Sequence, residues 1–558
     1  MIKMNKRLED LLLAAGVLTQ EQLEKALRIQ QETGERLMRV IRHLGYITED
    51  HMIRTLELQL GVRQVALAEI AINREVADAI SVTLAERHQV IPIKKQGRQI
   101  TLAMTDPTNF DAIDDVHMMT GCEVQPVIAA EREILRAIEQ AYGVKAIVDK
   151  AVNRLRIEDQ TAMVEIQTAD EAPVVSIVNS LISQAVKDQA SDIHVEPEAN
   201  HIRVRFRVDG VLREMVSLPK SIHAAIISRI KIMSGLDIAE KRLPQDGRLK
   251  VQEQGRDIDL RISTLPTILG EKIAIRILDK DNAVLAIKEL GFRDNNLLRF
   301  RQLIGHAYGM LLVTGPTSSG KTTTLYSTLT DINSADKNII TVEDPVEMLL
   351  DGINQVQVNN KAGLTFANAL RSILRQDPNV IMVGEIRDTE TADIAIRAAL
   401  TGHLVFSTLH TNDAPGALPR LIDMGIEPFL VASSVLGVVA QRLVRLICND
   451  CKQSYTPEPA SRERLLLGLE PTAQVRLYRG EGCAHCGYTG YRGRIPIHEV
   501  MPVTAAIRKL IAKRAAGDEL GAAARSAGMS TMGEDGIHKV MEGLTTIDEV
   551  IRVAYTGL

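Results

Sequence analysis

The stretch Gly309-Met-Leu-Leu-Val-Thr314 is followed directly by Gly315-Pro-Thr-Ser-Ser-Gly320-Lys321-Thr322. The first part is a short apolar run typical of a buried strand, and Thr323–Asn333 is predicted to form a helix. A glycine-rich loop of the pattern G-x4-G-K-[ST] between a strand and a helix is a phosphate-binding P-loop. The order of these elements therefore predicts an α/β nucleotide-binding domain.

The residue types of this loop suit the binding of phosphate. Gly315 and Gly320 allow the backbone to wrap closely, so that its N–H groups and the helix N-terminus surround phosphate oxygens. Lys321 is predicted to reach the β- and γ-phosphates of ATP, and the hydroxyl of Thr322 to bind Mg²⁺. The predicted nucleotide-binding residues are Gly315, Pro316, Thr317, Ser318, Ser319, Gly320, Lys321, Thr322 and Thr323.

Further strands predicted after the P-loop are accompanied by acidic or histidine residues. Because ligands lie at the carboxyl ends of parallel strands, these side chains are expected to converge on the nucleotide. Glu385 takes the position of a Walker B carboxylate and is expected to bind Mg²⁺, while a second carboxylate acts as general base on water. The segments are Asn338–Val342 before Glu343–Glu347, Val380–Val383 before Glu385, and His403–Thr408 before His410.

Two histidines and two arginines in this region could have either a structural role or a role at the phosphate site. His403 and His410 can be ordinary structural residues or can act beside the phosphate site. Arg371 and Arg375 are spaced i and i+4, which places them on one helix face. There they form surface ion pairs or stabilise the charge of the γ-phosphate, within one subunit or across a subunit boundary.

Four of the five cysteines form two Cys-x2-Cys pairs. Four thiolates with this spacing suit a closed tetrahedral Zn²⁺ site, and redox-active cysteines are the alternative. The pairs are Cys448 with Cys451 and Cys483 with Cys486, so the metal is expected to close a small subdomain. His485 is expected beside the site rather than as a ligand, and Cys122 as a small apolar residue.

The region before the P-loop domain reads as an α+β domain. Pro173–Val186 is predicted to form an amphipathic helix, and Ile202–Val208 alternates as a half-buried strand that ends at the turn signal Asp209-Gly210. The polar face of that strand is either solvated or a charge patch between subunits. Its basic residues are Arg203, Arg205 and Arg207.

The N-terminal residues 1–62 form a repeat of helix, glycine turn and helix. Gly16 aligns with Gly45, and Thr19 with Gln22 is a capping box for the second helix of the first unit. Residues 63–143 are predicted to form a small α/β docking domain with strands at Gln89–Ile93 and Gln99–Met104 and helices at Val76–Arg87 and Glu131–Ala141. Residues 144–171, which are polar and weakly periodic, are the predicted linker.

The composition of this 558-residue chain argues against several classes of protein. A net charge of −5, from 66 Lys and Arg against 71 Asp and Glu, disfavours a protein held on nucleic-acid phosphates. Aromatic residues make up 3% without any Trp, so few side chains can stack on bases. Apolar runs are shorter than the roughly 18 residues that a membrane-spanning helix needs. The basic N-terminus ending at Arg7 is not followed by the apolar core of a secretory signal peptide. We therefore expect a cytoplasmic chain.

Residues 173–501 resemble the bacterial secretion ATPase superfamily, the hexameric motors of type II secretion and type IV pilus assembly. Met424–Ser434 followed by Gln441–Val444 is more similar to the type II secretion branch. The resemblance is carried by the P-loop, Glu343–Glu347, Val383–Asp388, Gly402–Asn412, Ser191–Pro197, Leu243–Arg248 and the four paired cysteines.

This resemblance implies an α/β multidomain fold. A RecA-like P-loop NTPase core at 281–558, with a tetracysteine zinc subdomain at about 445–490, would follow a PAS-like α+β domain at 172–280. Small helical N-terminal domains would precede both. Six subunits would form a ring, and rotation of the two domains around the linker 279–291 would be the power stroke.

The resemblance also implies roles for single residues. Glu347 would be the base that activates water, with Glu343 and Asp344 in support, and Glu385 would lie in the metal shell. Two arginines of the preceding domain would reach an ATP bound by the neighbouring subunit, and further arginines and histidines would complete the γ-phosphate site. These are Arg248 and Arg261, then Arg371 and Arg375, and finally His403 and His410.

The N-terminal repeat resembles the tandem cyclic-di-GMP-binding module of such ATPases. The residues that match its motif and could bind the ligand are Arg7, Gln30, Arg36 and Gln59. Glu9 and Met38 occupy the positions where the motif has a glycine. A side chain there obstructs close approach of the backbone to a ligand, which argues against cyclic-di-GMP binding.

The function implied is an ATP-hydrolysing motor that drives type II secretion by assembling a pseudopilus. It would act on an inner-membrane platform protein, be recruited by a second inner-membrane protein through its N-terminal domains, and contact the membrane peripherally. The alternatives are a type IV pilus assembly ATPase, a RecA-like DNA translocase and a cyclic-di-GMP-binding regulator. No nucleic-acid partner is expected.

Overall fold

A computed structural model describes residues 13, 16, 18–33, 40–41, 43–47, 57, 61–67, 74–138, 141–142, 172–253, 255–279, 284–458, 461–467 and 474–554. The predicted linker 144–171 lies outside these residues. The chain forms two compact units. The first comprises 1–208, 212–249 and 261–277, and the second comprises 209–211, 250–260 and 278–558.

The N-terminal part of the first unit combines helices with a small sheet. Its described elements are α1 (Gln20–Thr33), α2 (Arg74–Ala77), α3 (Val82–His88), β1 (Val90–Gln96), β2 (Gln99–Met104), α4 (Phe110–Thr120) and β3 (Glu123–Ile128). Strand β2 pairs antiparallel with β1 and parallel with β3. The N–H of Gln22 donates to the Thr19 hydroxyl oxygen at 3.3 Å, and the Gln22 side chain accepts from the Thr19 N–H at 3.0 Å. The predicted capping box is therefore confirmed.

The predicted glycine turns of the repeat are also present. Gly16 and Gly45 have φ angles of +68° and +70°, a left-handed conformation that favours glycine. In contrast, the single helix predicted at Val76–Arg87 is wrong. The chain forms α2 and α3 instead, because the Ser81 side chain accepts the N–H of Leu84 and starts a new helix.

The remainder of the first unit, together with short segments assigned to the second, contains the expected α+β sheet. Its elements are α5 (Ala172–Lys187), β4 (Ala190–Pro197), β5 (His201–Val208), β6 (Val211–Pro219), α6 (His223–Met233), β7 (Gln245–Glu253), β8 (Arg256–Thr267) and β9 (Gly270–Asp279). The described strands follow the order β6-β5-β4-β9-β8-β7. Asp209 and Gly210 both have positive φ, at 50° and 83°, as the predicted tight turn requires.

The three arginines of β5 are neutralised by acidic residues of the same sheet. Arg205 donates to Glu196 from two nitrogens, at 2.8 and 2.9 Å, and Arg207 lies 3.2 Å from Asp192. Arg203 lies 3.4 Å from Glu196 as well. This pairing favours the solvated, ion-paired face over a one-sign charge patch between subunits.

The second unit is built on a mostly parallel sheet. Its helices and strands are α7 (Asp294–Ile304), β10 (Gly309–Thr314), α8 (Lys321–Ile332), β11 (Ile339–Glu343), β12 (Asn354–Gln357), α9 (Phe366–Ile373), β13 (Val380–Val383), α10 (Thr389–Leu400), β14 (Leu404–Leu409), α11 (Ala417–Asp423), α12 (Pro428–Ser434), β15 (Val435–Ile447), β16 (Lys452–Tyr455), α13 (Arg462–Leu466), β17 (Leu477–Gly480), β18 (Tyr491–Pro502), α14 (Ala505–Ala512), α15 (Gly517–Ser526), α16 (Met532–Met541) and α17 (Ile547–Ala554).

Strand β10 lies inside this sheet, whose described strands follow the order β12-β11-β13-β14-β10-β15-β18. All neighbours are parallel except β15 and β18, which pair antiparallel. Alternate residues of β10 enter different hydrophobic cores, Met310 and Leu312 in one and Leu311 and Val313 in the other. Because both faces are covered, the strand reads as a continuous apolar run.

Part of the predicted linker 279–291 belongs to a core of the second unit, and residues 280–283 lie outside the described residues. Ile287–Leu290 forms a 3-10 helix whose Ile287 and Leu290 are buried in a core of the second unit. Within the residues described, no helix is both long and apolar enough to span a membrane.

Candidate nucleotide site

The P-loop backbone has positive φ angles at three positions. Gly315 and Gly320 have φ angles of +147° and +89°, and Ser318, which is not a glycine, has +62°. A methyl group on Gly315 would overlap the backbone oxygen of Gln441, so only glycine fits there. Helix α8 starts at Lys321, which points its first N–H groups toward the loop.

Lys321 is held by the carbonyl groups of its own loop. Its Nζ donates to the oxygens of Gly315 and Pro316 at 2.8 and 2.9 Å. Burial lowers the pKa of Lys321, and the nearby Glu385 carboxylate acts in the opposite direction. Because burial disfavours the charged ammonium, the negative charge of a bound phosphate would stabilise it.

Gln441 of β15 contacts the loop through its side chain as well as its backbone. Its Nε2 donates to the Ser319 carbonyl at 2.8 Å, and its Oε1 accepts the Thr324 hydroxyl at 2.9 Å. The side chain is fully buried. The motif alone does not reveal this contact, since Gln441 follows the loop by more than a hundred residues; the pairing of β10 with β15 creates it.

Glu343 ends β11 and is buried, with 4% of its surface exposed. Its Oε1 accepts the Thr341 hydroxyl at 2.6 Å and the Gln355 amide at 3.1 Å, and its Oε2 accepts the Tyr326 hydroxyl. Both carboxylate oxygens are therefore engaged. Glu347 lies four residues later in the half-buried acidic loop, where its N–H donates to the Tyr326 hydroxyl at 3.2 Å.

Glu385 follows β13 and lies among cationic side chains. Its carboxylate is 2.6 Å from Arg387 and 3.6 Å from the Nε2 of His410, which follows β14. The negative charge of Glu385 also acts to raise the pKa of Lys321, against the effect of burial. The carboxyl ends of neighbouring parallel strands thus bring Glu385, His410 and the P-loop lysine to one edge of the sheet.

His403 lies at the other edge. It immediately precedes β14, and its carbonyl accepts the N–H of Gly309, the first residue of β10, at 3.0 Å. Its ring Nδ1 donates to the Ala398 carbonyl at 3.0 Å. Because β14 is parallel to β10, about 17 Å of strand separates His403 from the P-loop end. A role of His403 at the nucleotide, together with His410, therefore remains a prediction, and its hydrogen bonds favour the structural alternative.

Arg371 and Arg375 do not share a helix face, because α9 ends at Ile373 and Arg375 lies in the following turn. Arg371 forms an ion pair with Glu390 at the start of α10. Arg375 donates to the Arg371 carbonyl at 2.9 Å. Arg371 thus forms the surface ion pair that was one of the two alternatives. A role of either arginine at the γ-phosphate remains a prediction.

Arg248 and Arg261 lie on neighbouring strands of the α+β sheet. Arg248 is an exposed residue of β7, and Arg261 is a half-buried residue of β8. Of the predicted cyclic-di-GMP residues, Gln30 lies half-buried on α1. Arg7, Arg36 and Gln59 lie outside the described residues, as do Glu9 and Met38.

The four paired cysteines come together, with all four sulphur atoms within 4.8 Å of one another. Neighbouring sulphurs are 3.8 to 3.9 Å apart. A tetrahedral Zn²⁺ ion with bonds of about 2.3 Å requires about 3.8 Å between sulphurs, so the donors fit this metal. The exposed His485 lies 3.3 Å from Asp450 and outside the thiol group. The cysteines are Cys448, Cys451, Cys483 and Cys486.

The thiols of this cluster differ in acidity. Burial raises the pKa of Cys451 to about 12. Burial acts in the same direction on Cys486, but the N–H groups of Cys483 and Gly490 donate to its sulphur at 3.2 Å and lower its pKa to about 7. The two backbone donors therefore favour the thiolate form of Cys486.

Comparison with known proteins agrees with this geometry. The profile of the family described as "Type II/IV secretion system protein" matches residues 167–552, and that of the MshEN domain matches residues 60–147. The type IV pilus assembly ATPase PilB of Myxococcus xanthus is 44% identical over 561 residues, 98% of this chain and 99% of its own. This chain belongs to the type II/IV secretion system protein family.

One further relative and one solved structure of similar fold complete the comparison. Type II secretion system protein E of Xanthomonas campestris pv. campestris is 43% identical over 558 residues, 98% of each chain. The X-ray structure of the Legionella pneumophila ATPase DotB covers 70% of this chain and 99% of its own, with a TM-score of 0.50 and 20% identity. The expected family and the RecA-like α/β fold are confirmed, and the chain is an ATPase of this secretion family.

Proposed function

We propose that this secretion ATPase is the hexameric motor that assembles a pseudopilus for type II secretion. The observation that carries the proposal is a P-loop with Glu385 and His410 at one edge of the sheet, within a chain related to such proteins over 98% of its length. ATP hydrolysis would supply the force that acts on an inner-membrane platform protein. The N-terminal domains would bind a recruiting inner-membrane protein, and the motor would lie peripherally at the inner membrane.

The chemistry follows from the groups at this edge. The loop N–H groups and Lys321 bind the phosphates, and oxygens of Thr322 and Glu385 are of the kind that Mg²⁺ prefers. Glu347 takes a proton from the attacking water. Glu343 is buried with both oxygens engaged, which favours a supporting role for it rather than that of the base.

Coupling to movement would come from the arginines of the preceding domain. Arg248 and Arg261 would contact the γ-phosphate of ATP bound by a neighbouring subunit, with Arg371 and Arg375 completing the anion site and His410 sensing its loss. Hydrolysis would weaken this hold and let the domains rotate. The four paired cysteines would hold a structural Zn²⁺ ion. A role for cyclic-di-GMP is disfavoured by Glu9 and Met38.

The second candidate is assembly of a type IV pilus, and the full-length similarity to PilB of Myxococcus xanthus favours it. A chromosomal deletion in the source bacterium separates the two. Loss of secreted proteins with intact surface pili supports the type II motor, whereas loss of surface pili with normal secretion supports the pilus motor. Complementation with wild-type protein and failure of Lys321→Ala to complement would tie either phenotype to ATP.

A further inference from the structure

Tyr326 connects the helix of the P-loop to the acidic loop that contains Glu347. It lies in α8, five residues after Lys321, and is 3% exposed. Its hydroxyl donates to Oε2 of Glu343 and accepts the N–H of Glu347 at 3.2 Å. Burial and the Glu343 charge raise the pKa of Tyr326, so the hydroxyl keeps its proton at neutral pH.

Glu343 organises the other side of this contact. While Oε2 accepts from Tyr326, Oε1 accepts the Thr341 hydroxyl at 2.6 Å and the Gln355 amide at 3.1 Å. A carboxylate whose two oxygens accept three hydrogen bonds and which is 4% exposed has little access to a water. Its geometry suits it to hold its neighbours in place.

Gln355 of β12 then fixes the acidic loop at two more backbone points. The Gln355 Nε2 that donates to Glu343 also donates to the Met348 carbonyl at 3.1 Å. The Gln355 Oε1 accepts the Leu350 N–H at 2.8 Å. Together with the Tyr326 contact to Glu347, three nearby backbone groups of the loop are tied to buried side chains. Buried networks in which every member is satisfied are rigid.

We propose that Tyr326 is a positioning residue, which together with Glu343 and Gln355 fixes the backbone of Glu347 relative to the P-loop helix. The inference rests on the proposed role of Glu347 as the base. A general base must lie within hydrogen-bond reach of the water that it activates. Displacement by about 1 Å can cost about 100-fold in rate, so the anchoring contact affects turnover although it does not touch the substrate.

The test is the steady-state ATPase activity of full-length Tyr326→Phe. Removal of the hydroxyl leaves the ring in place but deprives Glu343 of a donor and Glu347 of an acceptor. We expect kcat to fall about tenfold while KM for ATP stays within about twofold. Tyr308→Phe is the matched control, since Tyr308 is 59% exposed and loses the same hydroxyl. If Tyr326→Phe fails to fold, Gln355→Leu is tested in its place. We expect the same loss of kcat from that variant.

A double-mutant cycle with Glu347→Gln separates the possible outcomes. If Tyr326 acts through Glu347, Tyr326→Phe causes no further loss of the residual single-turnover rate in the Glu347→Gln background. An undiminished effect in that background, a parallel loss of ATP binding, or wild-type kcat in both Tyr326→Phe and Gln355→Leu would each overturn the proposal and leave Glu347 as the base. Wild-type turnover by Glu347→Gln alone would instead overturn the base assignment itself, and this proposal with it.

Discussion

Gln441 illustrates how a single residue outside a motif can determine its conformation. We predict that Gln441→Leu weakens ATP binding about tenfold, because it leaves the Ser319 carbonyl and the Thr324 hydroxyl without their partner. Calorimetric titration of a non-hydrolysable ATP analogue measures this change. Gln453→Leu, at an exposed residue of β16, is the control and should bind like wild type. Equal affinity in both variants would show that the P-loop keeps its shape without Gln441.

The same residues show what could be predicted from the sequence. The P-loop was predictable because all of its phosphate-binding groups lie within eight consecutive residues between a strand and a helix. The burial of Glu343 and the contact of Gln441 depend on which strands are neighbours, and a sequence pattern does not state that order. The distance of His403 from the P-loop likewise follows from the parallel pairing of β14 with β10, since His403 precedes β14 and His410 follows it.

At the scale of elements, Glu549 joins β15 to α17. Its carboxylate accepts from Arg445 at 2.7 Å and from Arg552 at 2.6 Å, and it is 2% exposed. Although burial acts against the charged form, hydrogen bonds from Arg552 and Arg445 lower the pKa of Glu549 to about 2. The unfolded chain therefore takes up this proton first as pH falls, and the stabilisation is present above about pH 4.3 and is lost toward pH 2.

Glu549→Gln should consequently lower the stability of the second unit by about 1–3 kcal/mol at pH 7. The difference from wild type should shrink as the pH falls from about 4.3 toward 2. Thermal unfolding midpoints measured across this range test the prediction. Glu542→Gln, which changes an exposed glutamate close to Glu549 in the sequence, serves as the control. A destabilisation that does not depend on pH would contradict the assigned ion pairs.

The tetracysteine subdomain is the second element-scale test. We expect one zinc ion per chain, and removal of it by a chelator should lower the unfolding temperature and increase proteolysis between Cys451 and Cys483. Cys451→Ser should lose the metal, whereas Cys122→Ser, whose cysteine is buried outside the cluster, should retain it. Metal analysis of the purified protein measures both. Reversible disulfides without bound metal would instead support the redox alternative.

Sequence periodicity predicted elements well where it was long and unbroken. The amphipathic run Pro173–Val186 appears as α5, and the alternating run Ile202–Val208 appears within β5. It failed at two helix boundaries. Ser81 divides a predicted helix by capping α3, and α9 stops before Arg375 although the hydrophobic spacing continues.

At the scale of the whole molecule, the proposed ring makes each ATP site a shared one. Lys321→Ala removes the nucleotide side of a site, and Arg261→Ala removes the group proposed to come from the neighbour. Each variant alone should be inactive, but a mixture assembled at equal amounts should regain activity at about a quarter of its sites. ATPase assays of mixed and separately assembled variants test this. An inactive mixture would contradict contribution of Arg261 in trans.

The central claim is that Lys321 binds the phosphates while Glu347 drives hydrolysis. The most direct measurement is ATP binding and ATP hydrolysis, in parallel, for the wild-type chain, Lys321→Ala and Glu347→Gln, with and without acidic phospholipid. The account predicts that Lys321→Ala loses both binding and hydrolysis, and that Glu347→Gln still binds ATP but no longer turns it over. Hydrolysis by Glu347→Gln at the wild-type rate, with Lys321→Ala inactive, would contradict it.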